Sequence, residues 1–361
     1  MNFRERMIRT VRFEPVDEMP FDLSFGLMPG LLDEWHDQGL PAEVQTPAQV
    51  KAYFGFAPYA QRLPLFTGLE PPFETKILEQ TDEYCISIDN MGRTNKVIYS
   101  ASSLPRALDF PVKDWDTWQP FKERLEYFPE RVGADLERIV ANNRAAGVLN
   151  AIGGRGFYWF GRDLMGDEGW CIAYHEQPDL ATDIVETFCA LREQVLDATL
   201  QRVELDEIHL GEDMAYRNAS MIGPKLFERF MKSYYRRIHT LVEKYNVPIF
   251  SMDSDGCLNE LAGWFADCGV NYLSPHEVQA GNDIRVYRRQ FGKQVAFGGG
   301  LDKRVLTQGR EAIDRMLEGT IPFMKETGGG WCIGLDHRAL SGTPLADFQY
   351  YVDRVRQMNK F

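Results

Sequence analysis

The sequence is poor in the features that put a protein on nucleic acid, in a bilayer or under a disulfide framework. Its 361 residues hold six cysteines, at 85, 171, 189, 257, 268 and 332, with no CxxC pair. That pattern excludes both a disulfide scaffold and a zinc ribbon. Basic residues are in deficit, 40 Lys+Arg against 53 Asp+Glu, for a net charge of −13. Such a balance argues against nucleic acid and against an anionic membrane face, although a few arginines in a cleft still suffice for an anionic small molecule. No apolar run approaches the ~20 residues needed to span a bilayer. The opening MNFRERMIRTVRFEP carries charges every few residues and no apolar centre, so no signal peptide is expected. No GxGxxG follows an early strand, and FGGGLD has glycines without that spacing. Repeats, low-complexity segments and linkers are missing too. The expectation is a soluble, cytoplasmic protein with one domain over 1–361.

What is present falls into two textures. From about residue 70 to 100 the chain reads PPFETKILEQTDEYCISIDNMGRTNKVIYS, alternating apolar and polar with turn signals at TDE and NMGRTN. That alternation indicates antiparallel hairpins with one face in water. From about residue 145, short apolar runs alternate with amphipathic helical stretches. The runs are GVLNAIGG, EIHLGEDMAY, VPIFSMDSDG, VNYLSPHE, VAFGGGLD and WCIGLDH. In PKLFERFMKSYYRRIHTLVEKY, apolar residues recur at three and four from Leu226 to Val242, which predicts one long helix opened by Pro224. Repeated strand–helix units imply a parallel sheet buried on both faces. MPFDLSFG supplies a seventh candidate strand, and an eighth must lie between residues 100 and 145. The predicted fold is an α/β (β/α)8 TIM barrel with an inserted antiparallel hairpin region in the N-terminal third; an open doubly wound sheet is the alternative.

In a parallel barrel, chemistry sits where strands end. Several runs end in polar residues: Glu212 and Asp213, Asp253 and Asp255, His276 and Glu277, Asp302, and Asp336 with His337. Residues two apart on a strand share a face, so Asp253 and Asp255 converge, and charges at that depth need a metal, an arginine or a substrate. Bland roles compete at each place. Asp255-Gly256 before a helix is also an N-cap pattern, Asp302 has Lys303 and Arg304 beside it, and Cys257, at a helix start where a thiol pKa would fall, is read first as a small buried residue. Arg155 and Arg162 in GGRGFYWFGRDLMG flank aromatic residues, which suits a carboxylate clamp or a salt-bridged loop.

GEDMAYRNASMIGPKLFERF, SMDSDGCLNELAGWFADCGVN, AFGGGLDKRVL and GLDHRALSGTPLADFQYYV, in this order, resemble the uroporphyrinogen decarboxylase-like superfamily. The opening RERMIRTVRFEPVDEMPFDL fits its N-terminal pattern. The resemblance covers nearly the whole chain and implies a single (β/α)8 barrel. One branch holds the cofactor-free decarboxylases, whose MRQAGR-like loop binds substrate carboxylates. Here FDLSFGLMPGLLDEWHDQGL has no arginine, although His337 matches that branch's GHG histidine. The other branch holds methyltransferases, related to corrinoid-dependent enzymes and to cobalamin-independent methionine synthase. Their zinc ligands, a His-x-Cys pair, a Glu and a late Cys, fall on Asp253 and Asp255, Glu277 and His337. With thiolates replaced by carboxylates and an imidazole, zinc comes first and manganese or iron are alternatives.

The resulting expectation is a methyltransferase moving a methyl group between a small molecule and a corrinoid protein or tetrahydrofolate. Asp253, Asp255, Glu277 and His337 would hold the divalent metal, and Asp253, Asp255, His337 and Glu212 would serve catalysis. Arg155, Tyr158, Trp159, Arg162, Asp213 and Tyr216 would bind substrate. The alternatives are a metal-free lyase on a polycarboxylate or tetrapyrrole, needing no cofactor, and a non-catalytic partner of a corrinoid protein.

Overall fold

The apolar runs in the second half of the chain become short parallel strands because helices cover their outer faces. A computed structural model describes residues 1–23, 25–99 and 105–360. Eleven strands are assigned there: β1 (Ala60–Arg62), β2 (Lys76–Gln80), β3 (Tyr84–Ile88), β4 (Thr94–Ile98), β5 (Arg106–Asp109), β6 (Leu149–Ile152), β7 (Glu207–Gly211), β8 (Ile249–Asp253), β9 (Tyr272–Ser274), β10 (Ala296–Leu301) and β11 (Trp331–Leu335). They form a seven-stranded parallel sheet in the order β1-β6-β7-β8-β9-β10-β11 and a separate four-stranded antiparallel sheet, β2-β3-β4-β5. All six runs read as strands from the sequence are therefore strands of the parallel sheet.

The rest of the barrel expectation needs correction. Among its described residues MPFDLSFG forms no strand, Ser24 lying outside them; Phe21 makes a parallel bridge to Ile333 of β11. Pro20 has no N–H to give, so the contact reduces to Ile333 N donating to Pro20 O at 2.7 Å and Asp22 N to Ile333 O at 3.0 Å. The strand expected between 100 and 145 is also absent from the parallel sheet among the described residues, and 100–104 lie outside them. The remaining strand is β1, a three-residue segment in register with Leu149, Asn150 and Ala151 of β6. What is described is a curled seven-stranded sheet, joined at its β11 edge by parallel bridges from Phe21 to Ile333 and from Leu27 to Ala339.

The predicted hairpins appear as β2 to β5, and every residue of β2 is exposed. Arg93 reaches back from this sheet to Asp163 and so ties the insert to the helix Phe157–Glu176. The long helix expected after Gly223 is two, Pro224–Phe230 and Lys232–Lys244, broken at Met231 (φ −123°, ψ −47°). The break lets both pieces bury aromatic rings: Phe227 and Phe230 on one, Tyr234 and Tyr235 on the other. Among the described residues no helix is long and apolar enough to cross a membrane.

Candidate functional site

Three carboxylates meet where β7 and β8 end. Gly211 and Asp253 are register partners on these strands, so the two residues after each strand end share one rim. Ligand oxygens of Asp213, Asp253 and Asp255 all lie within 4.8 Å of one another. Asp213 adopts a left-handed conformation (φ +43°), which Asp tolerates better than most residues; its Oδ1 thereby accepts the Asp255 N–H at 3.2 Å. Burial, then the charges of Asp255 and Asp213, push the Asp253 carboxyl well above its usual range. Burial and Asp255 raise Asp213 as well. Asp255 Oδ1 is buried and has no hydrogen-bond partner among the described residues. His337 joins from the end of β11, with Nε2 3.5 Å from Asp255 Oδ2 and its ring stacked on Phe25 at 5.1 Å between centroids. A crowded oxygen set with one orphaned oxygen and an imidazole at its edge fits a divalent cation of hard or borderline character.

Two expected participants face elsewhere. Glu277 accepts from Gly256 N at 3.0 Å and from Lys303 Nζ at 3.1 Å. Lys303 Nζ also lies 3.6 Å from Asp336, which is fully buried and accepts the Val278 and Lys303 N–H groups. A lysine thus neutralises Glu277, and the third carboxylate beside Asp253 and Asp255 is Asp213, expected instead as a substrate contact. Glu212 turns outward to the start of the helix Phe157–Glu176. It accepts from Phe157 N at 2.7 Å, Trp159 N at 3.0 Å and Tyr235 Oη at 2.5 Å. That helix has no side-chain cap of its own, so Glu212 satisfies its orphan N–H groups and faces its positive end. Gly156 makes room, because a Cβ there would stand 2.0 Å from Glu212 Oε1. Burial still lifts the Glu212 pKa to about 7, against the pull of Tyr235 and the backbone donors. Its role in this geometry is to position the helix, not to touch the cavity.

The aromatic segment divides. Tyr158 is fully buried, with its hydroxyl 3.6 Å from Cys171 Sγ and 3.6 Å from Met221 Sδ, in the core rather than at a substrate surface. The guanidinium groups of Arg155 and Arg162 lie 5.9 and 5.6 Å from the Trp159 ring centroid. Arg155 pairs with Asp163, which also holds Arg93. Arg162 donates to Asp213 O at 2.8 Å and reaches Asp213 Oδ2 at 3.4 Å. Tyr216 is 64% exposed, on a turn whose carbonyl accepts the Cys257 N–H.

A cavity of about 900 Å³ opens beside the carboxylates, and Asp253, Phe25 and Arg155 line it. Leu65, Phe66, Met91, Phe160 and Phe188 give it an apolar lining, with the polar Thr67, Glu70 and Asn90 alongside. Its inner wall carries Glu207, His209, Tyr59, Tyr272 and the Asp22–Lys51 ion pair at 2.8 Å. The sequence reading passed over these inner groups. Their signal was Glu207 and His209 at period two on an otherwise apolar strand, in phase with the glycine that ends it.

Comparison with known proteins gives the setting. No curated protein matches the chain. Among solved structures, a methyltransferase from Methanosarcina mazei superposes with a TM-score of 0.59 at 17% identity, covering 99% of each chain, a likeness of fold. The family model for Uroporphyrinogen decarboxylase (URO-D) matches residues 168–358. These residues span β7 to β11 and every carboxylate of the cluster, and the chain belongs to the uroporphyrinogen decarboxylase (URO-D) family.

Proposed function

We propose that this chain is a metal-assisted methyltransferase, moving a methyl group between a small molecule bound in the cavity and a corrinoid protein or folate. The observation that carries the reading is the cluster of Asp213, Asp253 and Asp255, crowded at strand ends, with the buried Asp255 Oδ1 unpartnered and Asp253 opening onto the cavity. Carboxylates so close either share protons or hold a cation. In this reading the three aspartates and His337 hold the metal, with zinc, manganese or iron all compatible with the donor set. When bound, it would act as a Lewis acid on a heteroatom of the methyl donor. The chain's own groups do the rest. Arg162 fixes the Asp213 main chain and carboxylate, Glu212 anchors the helix carrying Arg162, and the apolar side chains of the cavity lining keep water from the methyl group. The M. mazei protein is described as a methyltransferase, so this fold accommodates that chemistry.

Family membership favours a second reading, a metal-free lyase in which the same aspartates share protons. Among the described residues the cavity cations argue against a polycarboxylate there, since Arg155 is paired with Asp163 and Lys51 with Asp22. Elemental analysis of protein purified without chelator or affinity metal, with Asp253→Ala and His337→Ala beside it, tests the assignment. Near-stoichiometric metal, lost in both variants, is expected. No uptake from excess zinc or manganese would leave the lyase reading in its place.

A further inference from the structure

Deeper in the cavity lies a second set of ionisable groups that the carboxylate cluster does not use. Ser251, fully buried on β8, has its Oγ 2.6 Å from Glu207 Oε1 and 2.8 Å from His209 Nδ1. His209 and Ser251 are register partners, one pleat, roughly 6.6 Å, below Gly211 and Asp253. The His209 ring lines the cavity, and its Nε2 has no hydrogen-bond partner among the described residues.

A serine hydroxyl carries one proton, so this chain of three groups runs one way at a time. With Glu207 ionised, Ser251 donates to the carboxylate and accepts from Nδ1–H, which leaves Nε2 as an acceptor. With Glu207 protonated, the carboxyl donates to Ser251, Ser251 donates to Nδ1, and Nε2 carries the proton. The protonation state of the Glu207 carboxyl thereby sets whether His209 Nε2 presents a donor or an acceptor to the cavity.

We infer that Glu207, Ser251 and His209 form a proton relay that exchanges one proton with an oxygen or nitrogen of the ligand in the cavity. The surroundings suit it. Burial raises the Glu207 pKa to about 7, with Ser251 and Tyr59 (hydroxyl at 3.4 Å) pulling it down and Asp206 pushing it up. Asp206 is itself paired with Arg4, and the Asp22–Lys51 pair and Tyr272 share the same floor. Burial and the nearby Arg192 lower His209 to about 4, so the imidazole passes a proton without becoming a stable cation.

Used in methyl transfer, and resting there on the reading above, the relay supplies the leaving heteroatom. The bond from methyl carbon to heteroatom breaks as a nucleophile of the acceptor forms a bond to that carbon. The heteroatom keeps the electron pair and takes the proton from Nε2. Nδ1 takes one from Ser251, Ser251 takes one from Glu207, and a carboxylate remains. The ligand class is a small, largely apolar molecule whose methyl sits on an oxygen or nitrogen that leaves protonated.

Nitrogen NMR of the full chain labelled at its six histidines tests the relay without any substrate. Loss of one signal set in His209→Gln assigns the ring. Its neutral tautomer is expected to swap with a midpoint near pH 7, from bare Nε2 above to protonated Nε2 below. Ser251→Ala should abolish the swap with the ring still neutral, and Glu207→Gln should freeze one tautomer across about pH 5 to 9. A wild-type ring that keeps one tautomer, forms imidazolium near its ordinary pKa, or still swaps in Ser251→Ala overturns the relay. With a methyl donor in hand, Ser251→Ala should lower kcat ~10²-fold and leave KM nearly unchanged. An unchanged kcat beside an intact tautomer swap would overturn proton delivery to the leaving atom and sustain the relay.

Discussion

Two acidic clusters stand almost side by side on the rim of the sheet and differ in one group. Around Lys303, the buried Asp336 and the part-buried Glu277 have an ammonium between them, at 3.6 and 3.1 Å. Around Asp255, three carboxylates converge; among the described residues no lysine pairs with them, and Arg162 reaches Asp213. The first cluster is a finished structural knot, because the cation is built into the chain. The second holds one charge sign in excess and meets it with raised carboxyl pKa values and an orphaned oxygen. Carboxylates at strand ends thus say little by themselves; whether the chain supplies its own cation separates a brace from a binding site.

The sharpest way to break this contrast is Lys303→Met. It strands Glu277 and Asp336 in the interior, and a loss of about 3–5 kcal/mol is expected in urea denaturation. A cost below 1 kcal/mol would place the knot and the open cluster in one class. The next effect belongs to the open cluster. Zinc or manganese at a hundredfold excess over Kd should stabilise the wild type by about 2.7 kcal/mol, read as a Tm shift, and Asp213→Asn should remove the gain. Because the cation displaces protons from carboxyls whose pKa is raised, the shift should grow from pH 5.5 to about 8; a shift that shrinks with pH would contradict cation binding at these groups.

A smaller effect is expected from Asp253→Asn without metal. The substitution removes a carboxyl whose pKa is raised by burial and then by its acidic neighbours, so stability at pH 8 should change by only ~1 kcal/mol, in the stabilising direction. A large loss would mean that Asp253 is held by a cation already. The buried glutamates add a background slope. Glu207 and Glu212 both have folded pKa values near 7 against an ordinary 4.5. Their contribution is complete below about pH 4.5 and is lost as pH rises through 7. Glu207→Gln should flatten part of the decline in a denaturation series across this window. The smallest effect is Tyr216→Ala, at 64% exposure: stability should stay within about 0.5 kcal/mol, and any change would appear in ligand binding.

Legibility followed the range of the interactions involved. The strands β6 to β11 were readable because burial on both faces writes a continuous apolar run, and Asp253 with Asp255 because residues two apart share a face. β1 was not readable, since three residues, Ala60 to Arg62, carry no period. The break at Met231 was invisible because both halves keep the same apolar spacing. Asp213 in place of Glu277 depended on Lys303, 26 residues beyond Glu277 in sequence. Glu212 looked like Asp213 in the string GED, yet adjacent residues at a strand end point to opposite sides, one to the rim and one to a helix start.

The sequence by itself determined the strand–helix alternation, the acidic strand ends and the family pattern, because each is written in local periodicity or in motif order. Tertiary structure decided which carboxylates meet, which one receives a lysine, and that Glu207, Ser251 and His209 line up across two strands. Those outcomes depend on register between segments more than 40 residues apart, and a hydrogen bond of 2.6 Å or an unpartnered oxygen exists only once that register is set.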